Sequence, residues 1–430
     1  MYERTTLLLG LSVALACGGS EERRDGGDSG ILSAGMDTEG PQDESDGTAG
    51  DGASGRGDDG AGDDGIKFDV GDQPGGDDGN AGCGGDSEGV KLSYIWIANT
   101  SQGTISKIDT VTMVEEGRYR AKPANGDPSR TSVNLAGDVA VANRNGGVAK
   151  FWADPEHCLE SNGVPGIQTS TGSTDVLDWG QDECLAWYTP LACGSNRPVA
   201  WTRGTWNEAT CRYEDAKLWT ACDNQVLLLD GETGEVEATV HLPGNAFVYG
   251  GAADADGNFW GLDVGGGNGL IRVDIDDMSL GSWPLPPSGG YGITVDAKGR
   301  PWLCGGGGAS RFNIDTATWS STGHSGIGGC MTDGESTLWH SDYGSNMLNG
   351  YDIETLALVQ QIQLPQYVHG VSVDFEGNVW GVSFASTTAY RANPTTGVVD
   401  TYAGLIGAYT YSDMTGFALS SAGGGGTPPG

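Results

Sequence analysis

The segment GGAADADGNFWGLDVGGGNGLIRVDIDDMSLGSWPL, Gly250 to Leu285, reads as four short strands joined by tight turns. Alternation and turn residues mark Gly250 to Asp254, Asn258 to Asp263, Leu270 to Ile275 and Leu280 to Leu285 as the strands. Between the first two runs Asp254 to Gly257, an aspartate suited to bond its own backbone followed by a glycine that accepts positive φ. The second strand carries Trp260, so the unit predicts an antiparallel meander whose indole is covered by a neighbouring sheet.

The unit recurs. Trp219, Trp260, Trp302, Trp339 and Trp380 stand 41, 42, 37 and 41 residues apart, a period that suits a four-stranded propeller blade. Asp296 to Gly299 precedes Trp302 and Asp374 to Gly377 precedes Trp380, while Asp333 keeps the aspartate ahead of Trp339. Two earlier copies are Ser93 to Asn99, with Trp96, and Asp138 to Asn143, with Ala140 at the tryptophan position. The 79 residues from Ala140 to Trp219 hold one unit plus an insertion, about 153–183, flanked by Cys158 and Cys184. Seven second strands result, and they predict an all-β fold, a seven-bladed β-propeller over 90–420. Blade one lacks a strand before Trp96, and Thr415 to Ser420 (TGFALS) is a spare copy at the far end. The expectation is that this C-terminal strand closes the first blade and removes its open edge, leaving 421–430 as a flexible tail.

The front of the chain has another character. Arg4 followed by the apolar run Leu7 to Ala16 has the make-up of an export signal, too short to span a bilayer. Residues 18–89 are rich in Gly, Asp, Glu and Ser, and hold much of the excess behind the 75 glycines and the formal charge of −36. Such a segment buries too little apolar surface to offset its chain entropy, so a disordered linker is expected. Its Gly/Asp-rich part, from 18 to about 82, is about 65 flexible residues that span roughly 45 Å, enough to hold a domain clear of a membrane. The acidity argues against a nucleic-acid partner.

Val13 to Cys17 (VALAC) resembles a bacterial lipobox. The likeness implies a signal peptide over 1–17, cleavage before Cys17, lipid on its thiol, and a lipoprotein held at the outer membrane or cell surface. Eight cysteines then remain, Cys83, Cys158, Cys184, Cys193, Cys211, Cys222, Cys304 and Cys330, and an even number in an exported chain points to disulfides. Spacing does not fix connectivity. The expected pairs are Cys158 with Cys184 and Cys193 with Cys211, each closing a local loop, and Cys304 with Cys330 between adjacent repeats.

The VDxxGNxW hairpin, as in Val373 to Trp380, resembles the virginiamycin B lyase-like and NHL-type propellers. The segments SYIWIANTSQGTISKIDT, DPSRTSVNLAGDVAVANR and YTYSDMTGFAL look like those of bacterial surface lipoproteins in that superfamily. The resemblance implies export and a propeller, and supplies no activity. Lyases of the family carry a glutamate three residues after the tryptophan in several blades. Here those positions hold Asn99, Asn143, Cys222, Asp263, Gly305, Asp342 and Ser383, a departure from the lyase pattern.

In a propeller the loops entering first strands and leaving second strands converge on one axial face. The candidates there are Arg130, Arg197, Tyr249, Tyr291 and His369 before or at the first strands, and Asn99 and Asn143 after the second. Aromatic faces beside amides suit a carbohydrate, peptide or protein ligand. His340 and His369 are the candidate acid-base pair, and Asp263 and Asp342 the candidate ligands for a divalent metal, although Asp more often caps a turn. No other cofactor is indicated. The leading expectation is a monomeric, envelope-anchored, non-catalytic binding or protein-interaction module. The alternative is a metal-assisted lyase or hydrolase of the virginiamycin B lyase-like type.

Overall fold

The computed structural model describes residues 93–422 apart from positions 208, 211, 268, 325 and 327. The expectations for the signal peptide, Cys17, the linker, Cys83 and the tail beyond 422 lie outside the described residues.

The 248–284 unit is the four-strand meander that its alternation predicts: Val248–Ala253, Phe259–Asp263, Gly269–Val273 and Leu280–Pro284, paired antiparallel in that order. Four more four-stranded sheets have the same order, beginning at Pro128–Val133, Asn196–Trp201, Gly292–Val295 and Cys330–Thr332. A seven-stranded sheet joins the two ends of the described chain. Its strands from Val368–Val373 to Val399–Ala408 continue into Tyr94–Asn99, Thr104–Asp109 and Glu115–Arg120, with Asn99 paired to Ala408. A two-stranded hairpin, Thr205–Asn207 with Arg212–Glu214, stands apart. No helix among the described residues is long and apolar enough to cross a membrane.

The repeat tryptophans lie in second strands and are almost completely buried. In three sheets the hairpin aspartate explains the pairing. The Trp260, Trp302 and Trp380 indoles donate to the carboxylates of Asp254, Asp296 and Asp374 at 2.9, 2.9 and 2.7 Å. The other oxygen of each aspartate accepts backbone N–H groups of its own turn, as from Asn258, Arg300 and Asn378. One carboxylate thus closes the turn and satisfies the one polar atom of a buried indole, whose ring removes about 4–6 kcal/mol worth of apolar area from water.

First strands of successive sheets pack side by side, from Pro128–Val133 through Asn196–Trp201, Val248–Ala253, Gly292–Val295 and Cys330–Thr332 to Val368–Val373. The C-terminal segment departs from the expected closing strand. Phe417–Ser421, overlapping the segment Thr415 to Ser420 read as a closing strand, is a short helix. Gly416 at φ +85° ends the extended chain, and the Asp413 carboxylate takes the N–H groups of Gly416 and Leu419 at 2.9 and 3.0 Å. The chain beside Tyr94–Asn99 is instead 409–414: Trp96 donates its backbone N–H to Met414 O, and Tyr409 donates to Ala98 O. Phe417 meets Phe375, not Tyr94.

Disulfides join Cys158 to Cys184 and Cys304 to Cys330. Cys193 corrects the expectation by pairing with Cys222, not Cys211. The strand end at Cys222 and the loop before Asn196 meet at a register shift, where Asp223 also takes the N–H groups of Gly194 and Ser195. Pairing by shortest sequence loop missed this cross-strand neighbour.

Candidate functional site at the first strands

A β-bulge recurs near the start of the first strands. Register shifts occur between Pro128 and Arg130, between Val248 and Gly250, and between Val368 and Gly370, with a matching irregularity opposite Thr220 and Cys222. The extra residue of a bulge escapes the pleat and is re-aimed. Tyr249 and His369 are such residues, and Tyr291 immediately precedes its own first strand. One residue further, pairing with the position two after the repeat tryptophan, stand Gly250, Gly292 and Gly370. Arg130 occupies that glycine position in its sheet, opposite Ala142. The glycines are not idle: a Cβ at Gly250 would lie 3.4 Å from Arg130 Nη2, and one at Gly370 would collide with the Thr410 carbonyl.

These positions, distant in sequence, meet in one cluster. Tyr249 Oη donates to Tyr291 Oη at 2.8 Å and lies 3.0 Å from Tyr409 Oη, which also bonds Tyr291 Oη and, at 3.3 Å, Tyr411 Oη. His369 Nε2 lies 2.8 Å from Tyr291 Oη, and its Nδ1 lies 2.7 Å from Tyr367 Oη. Arg130 Nη1 donates to Tyr411 O at 2.7 Å, and its guanidinium lies 3.5 Å from the Tyr411 ring centre and 5.2 Å from that of Tyr249. Arg197 stands 4.5 Å from the Tyr249 ring, and Arg144 stands 5.0 Å from that of Tyr409. Such cation–π contacts are worth about 2 kcal/mol when desolvated.

Burial governs the protonation states. It holds His369 down to about 3, helped by the nearby Arg130 charge, so the ring is neutral and offers one donor and one acceptor to its two tyrosines. Burial raises the Tyr249, Tyr291 and Tyr411 phenols. Tyr409 is the exception. Burial pushes its phenol up, but hydrogen bonds from Tyr249, Tyr291 and Tyr411 and the charge of Arg130 outweigh it, and the net shift is downward. The cluster therefore favours negative charge at one oxygen near its middle.

The remaining candidates sit differently. Asn99 gives its amide to Ser106 Oγ and accepts from Ile406 N, and Asn143 gives its amide to Ala121 O and accepts from Asp127 N. Both amides are committed to holding loops. Asp263 takes the N–H groups of Phe247 and Gly265, and Asp342 takes Gly344 N and Ser345 Oγ, so each carboxylate organises a turn. His340 is fully buried on its strand opposite Cys330 with neither ring nitrogen bonded, to His369 or to any other group among the described residues, and is held down to about 4 by burial. Among the described residues no three His, Cys, Asp or Glu side chains are grouped to hold a metal ion. The 153–183 insertion is organised by Glu183, which accepts from Ser161, Asn162 and Gln168.

Sequence reasoning missed Tyr367, Tyr409, Tyr411 and Arg144. The i, i+2 spacing of Tyr409 and Tyr411 signals a strand with both rings on one face. Placing the closing strand at 415–420 moved that face away from the axis.

No protein-family profile matches the chain. No curated protein matches it either. Among solved structures, a functionally unknown protein from Desulfotomaculum acetoxidans is similar at 12% identity and a TM-score of 0.52, covering 74% of this chain and 98% of that one. A streptogramin B lyase is similar at 16% identity and a TM-score of 0.49, covering 68% and 87%. The virginiamycin B lyase of Staphylococcus aureus is similar at 14% identity and 0.46, covering 67% and 89%. The fold is that of a β-propeller. At these identities the likeness extends to the fold alone, and fold does not settle function.

Proposed function

We propose that the described residues form a closed, seven-bladed ring, carried on the cell envelope by lipid at Cys17, whose axial face binds a polar ligand without turning it over. Six first strands and the 409–415 segment are the seven positions around the axis. That segment reaches both neighbours: Thr415 Oγ1 donates to Val373 O, and Thr131 Oγ1 lies 3.4 Å from Thr410 Oγ1. Three disulfides fit an oxidising compartment and so support export.

The observation that carries the binding reading is the cluster itself. Arg130, Arg197, Tyr249, Tyr291, His369 and Tyr411 come from separate axial positions and converge through bulges and a bond across 281 residues. Aromatic faces remain open at its edge: Phe384 is 44% and Tyr343 48% exposed, each against a ring of the cluster. The ligand classes that suit such a rim are carbohydrate and peptide.

Screening the purified full-length chain against sugar and peptide arrays tests the reading. Binding that disappears in Tyr291→Ala and persists in an Asp342→Asn control is the expected result. Binding unaffected by Tyr291→Ala would move the site elsewhere. The metal-assisted alternative has less support, because its carboxylates are spent on turns and its two histidines share no hydrogen bond. A bound divalent ion with EDTA-sensitive turnover would restore it. For the anchor, Cys17→Ala is expected to shift the chain from the membrane to the soluble fraction, and unchanged membrane association would exclude lipid at that thiol.

A further inference from the structure

The two axial arginines are charged, desolvated and without an acid. Arg130 is 1% exposed, and its Nε and Nη2 have no hydrogen-bond partner. Arg197 beside it leaves Nε and Nη1 without a partner. Elsewhere among the described residues the arginines at 118, 120, 144, 272, 300, 311 and 391 each stand within ion-pair distance of a carboxylate, while Arg203 has no ion pair and gives its guanidinium to the Leu419 and Ser420 carbonyls. Shortage of acid is not the reason, since the chain carries 58 acidic residues against 22 lysines and arginines. Burying a guanidinium without a counter-charge is costly, and the stacking on Tyr411 and Tyr249 offsets only part of that cost.

Two forks therefore hold unsatisfied N–H groups beside the Tyr249 ring, with the phenol hydroxyls of Tyr249, Tyr291 and Tyr409 alongside. A planar carboxylate matches both needs: it accepts paired N–H bonds from a guanidinium and takes further hydroxyl donors on its remaining lone pairs. Glycine at 250 leaves space beside Arg130, whose Nη2 would lie 3.4 Å from a Cβ there.

We propose that this axial site recognises a carboxylate group on a small ligand, with Arg130 and Arg197 as its counter-charges and the tyrosine hydroxyls as further donors. The proposal rests on the binding reading above and names the ligand chemistry. The carboxylate of an acidic sugar and that of a peptide C-terminus share this chemistry.

Titration calorimetry on the full-length chain distinguishes them. The probes are D-glucuronate against D-glucose, N-acetylglycine against N-acetylglycinamide, and inorganic phosphate. The expected result is binding of one or both acids, at least tenfold tighter than their neutral partners and than phosphate, and weakened at least tenfold by Arg197→Gln. Whichever acid binds tighter identifies the source. Arg197, half-buried, is the safer site for substitution, and circular dichroism of the variant checks its fold. Equal binding of acid and neutral partner, or phosphate as the tightest probe, would overturn the carboxylate assignment while leaving axial binding intact. Acid binding untouched by Arg197→Gln would also overturn it. An array screen and calorimetry that both show no binding would defeat this inference and the binding reading together.

Discussion

His340→Leu should flatten the acid sensitivity of the fold. The ring is fully buried, neither nitrogen has a partner, and burial holds it down to about 4, opposed only weakly by Asp342. In the unfolded chain the same side chain titrates near 6.5. Below that pH the unfolded state binds a proton that the folded state refuses, so stability falls as pH falls from about 6.5 toward 4. From pH 6.5 to pH 5 the loss is about 1.4 kcal/mol per unit, or roughly 2 kcal/mol. Leucine removes the titration. It also removes two unsatisfied polar atoms, a gain of about 1–3 kcal/mol, set against the tight fit beside Gly326, where a Cβ would meet the imidazole at 2.5 Å. Packing effects are the same at both pH values and cancel in the comparison. Urea unfolding of parent and variant at pH 7 and pH 5 should show the variant gaining about 2 kcal/mol on the parent over that interval. A difference between the two proteins that does not change with pH would refute the reasoning.

Asp374→Asn should do the reverse. Burial, with Glu376 adding to it, raises the Asp374 carboxyl to about 6, so its contribution is present in acid and lost as pH rises through that value. The variant should forgo about 1 kcal/mol of the parent's gain between pH 7 and pH 5, read from the same urea curves; an unchanged slope would contradict the shift. Asp296→Ala strands the Trp302 indole N–H and releases the Arg300 backbone and guanidinium. A loss of about 2–4 kcal/mol in unfolding free energy is expected, and a loss below 1 would show the turn to be held by other means. The double variant Cys304→Ser, Cys330→Ser opens a loop of sequence separation 26. It should lower stability by about 3 kcal/mol, and a melting temperature equal to the parent's would deny the bond a structural part.

The repeat was legible because its chemistry is local. An Asp, a Gly of positive φ and a Trp within seven residues define a hairpin wherever they occur, so Trp260, Trp302 and Trp380 could be placed in second strands from the sequence. Ala140 was placed equally well by the strand pattern around it. The site was legible only in part. Arg130 stood out by replacing a repeated glycine, but whether Asn143 faces a ligand or a neighbouring carbonyl depends on a contact with Ala121 that no repeat encodes. The helix at Phe417–Ser421 escaped because five residues give no period, and Asp413, whose carboxylate takes the Gly416 and Leu419 N–H groups, lies outside the repeat pattern. Cys193 pairs through a register shift, a property of two strands together.

Ring closure can be measured by cross-linking its two ends. With Ala98→Cys and Tyr409→Cys the new thiols flank the backbone bond from Tyr409 N to Ala98 O, 3.2 Å long. Closure predicts a spontaneous disulfide in the folded protein, seen by mass spectrometry as a linked peptide from the two segments. Two free thiols in a chain that keeps its parental circular dichroism would mean that 409–414 does not seal the ring against Tyr94–Asn99.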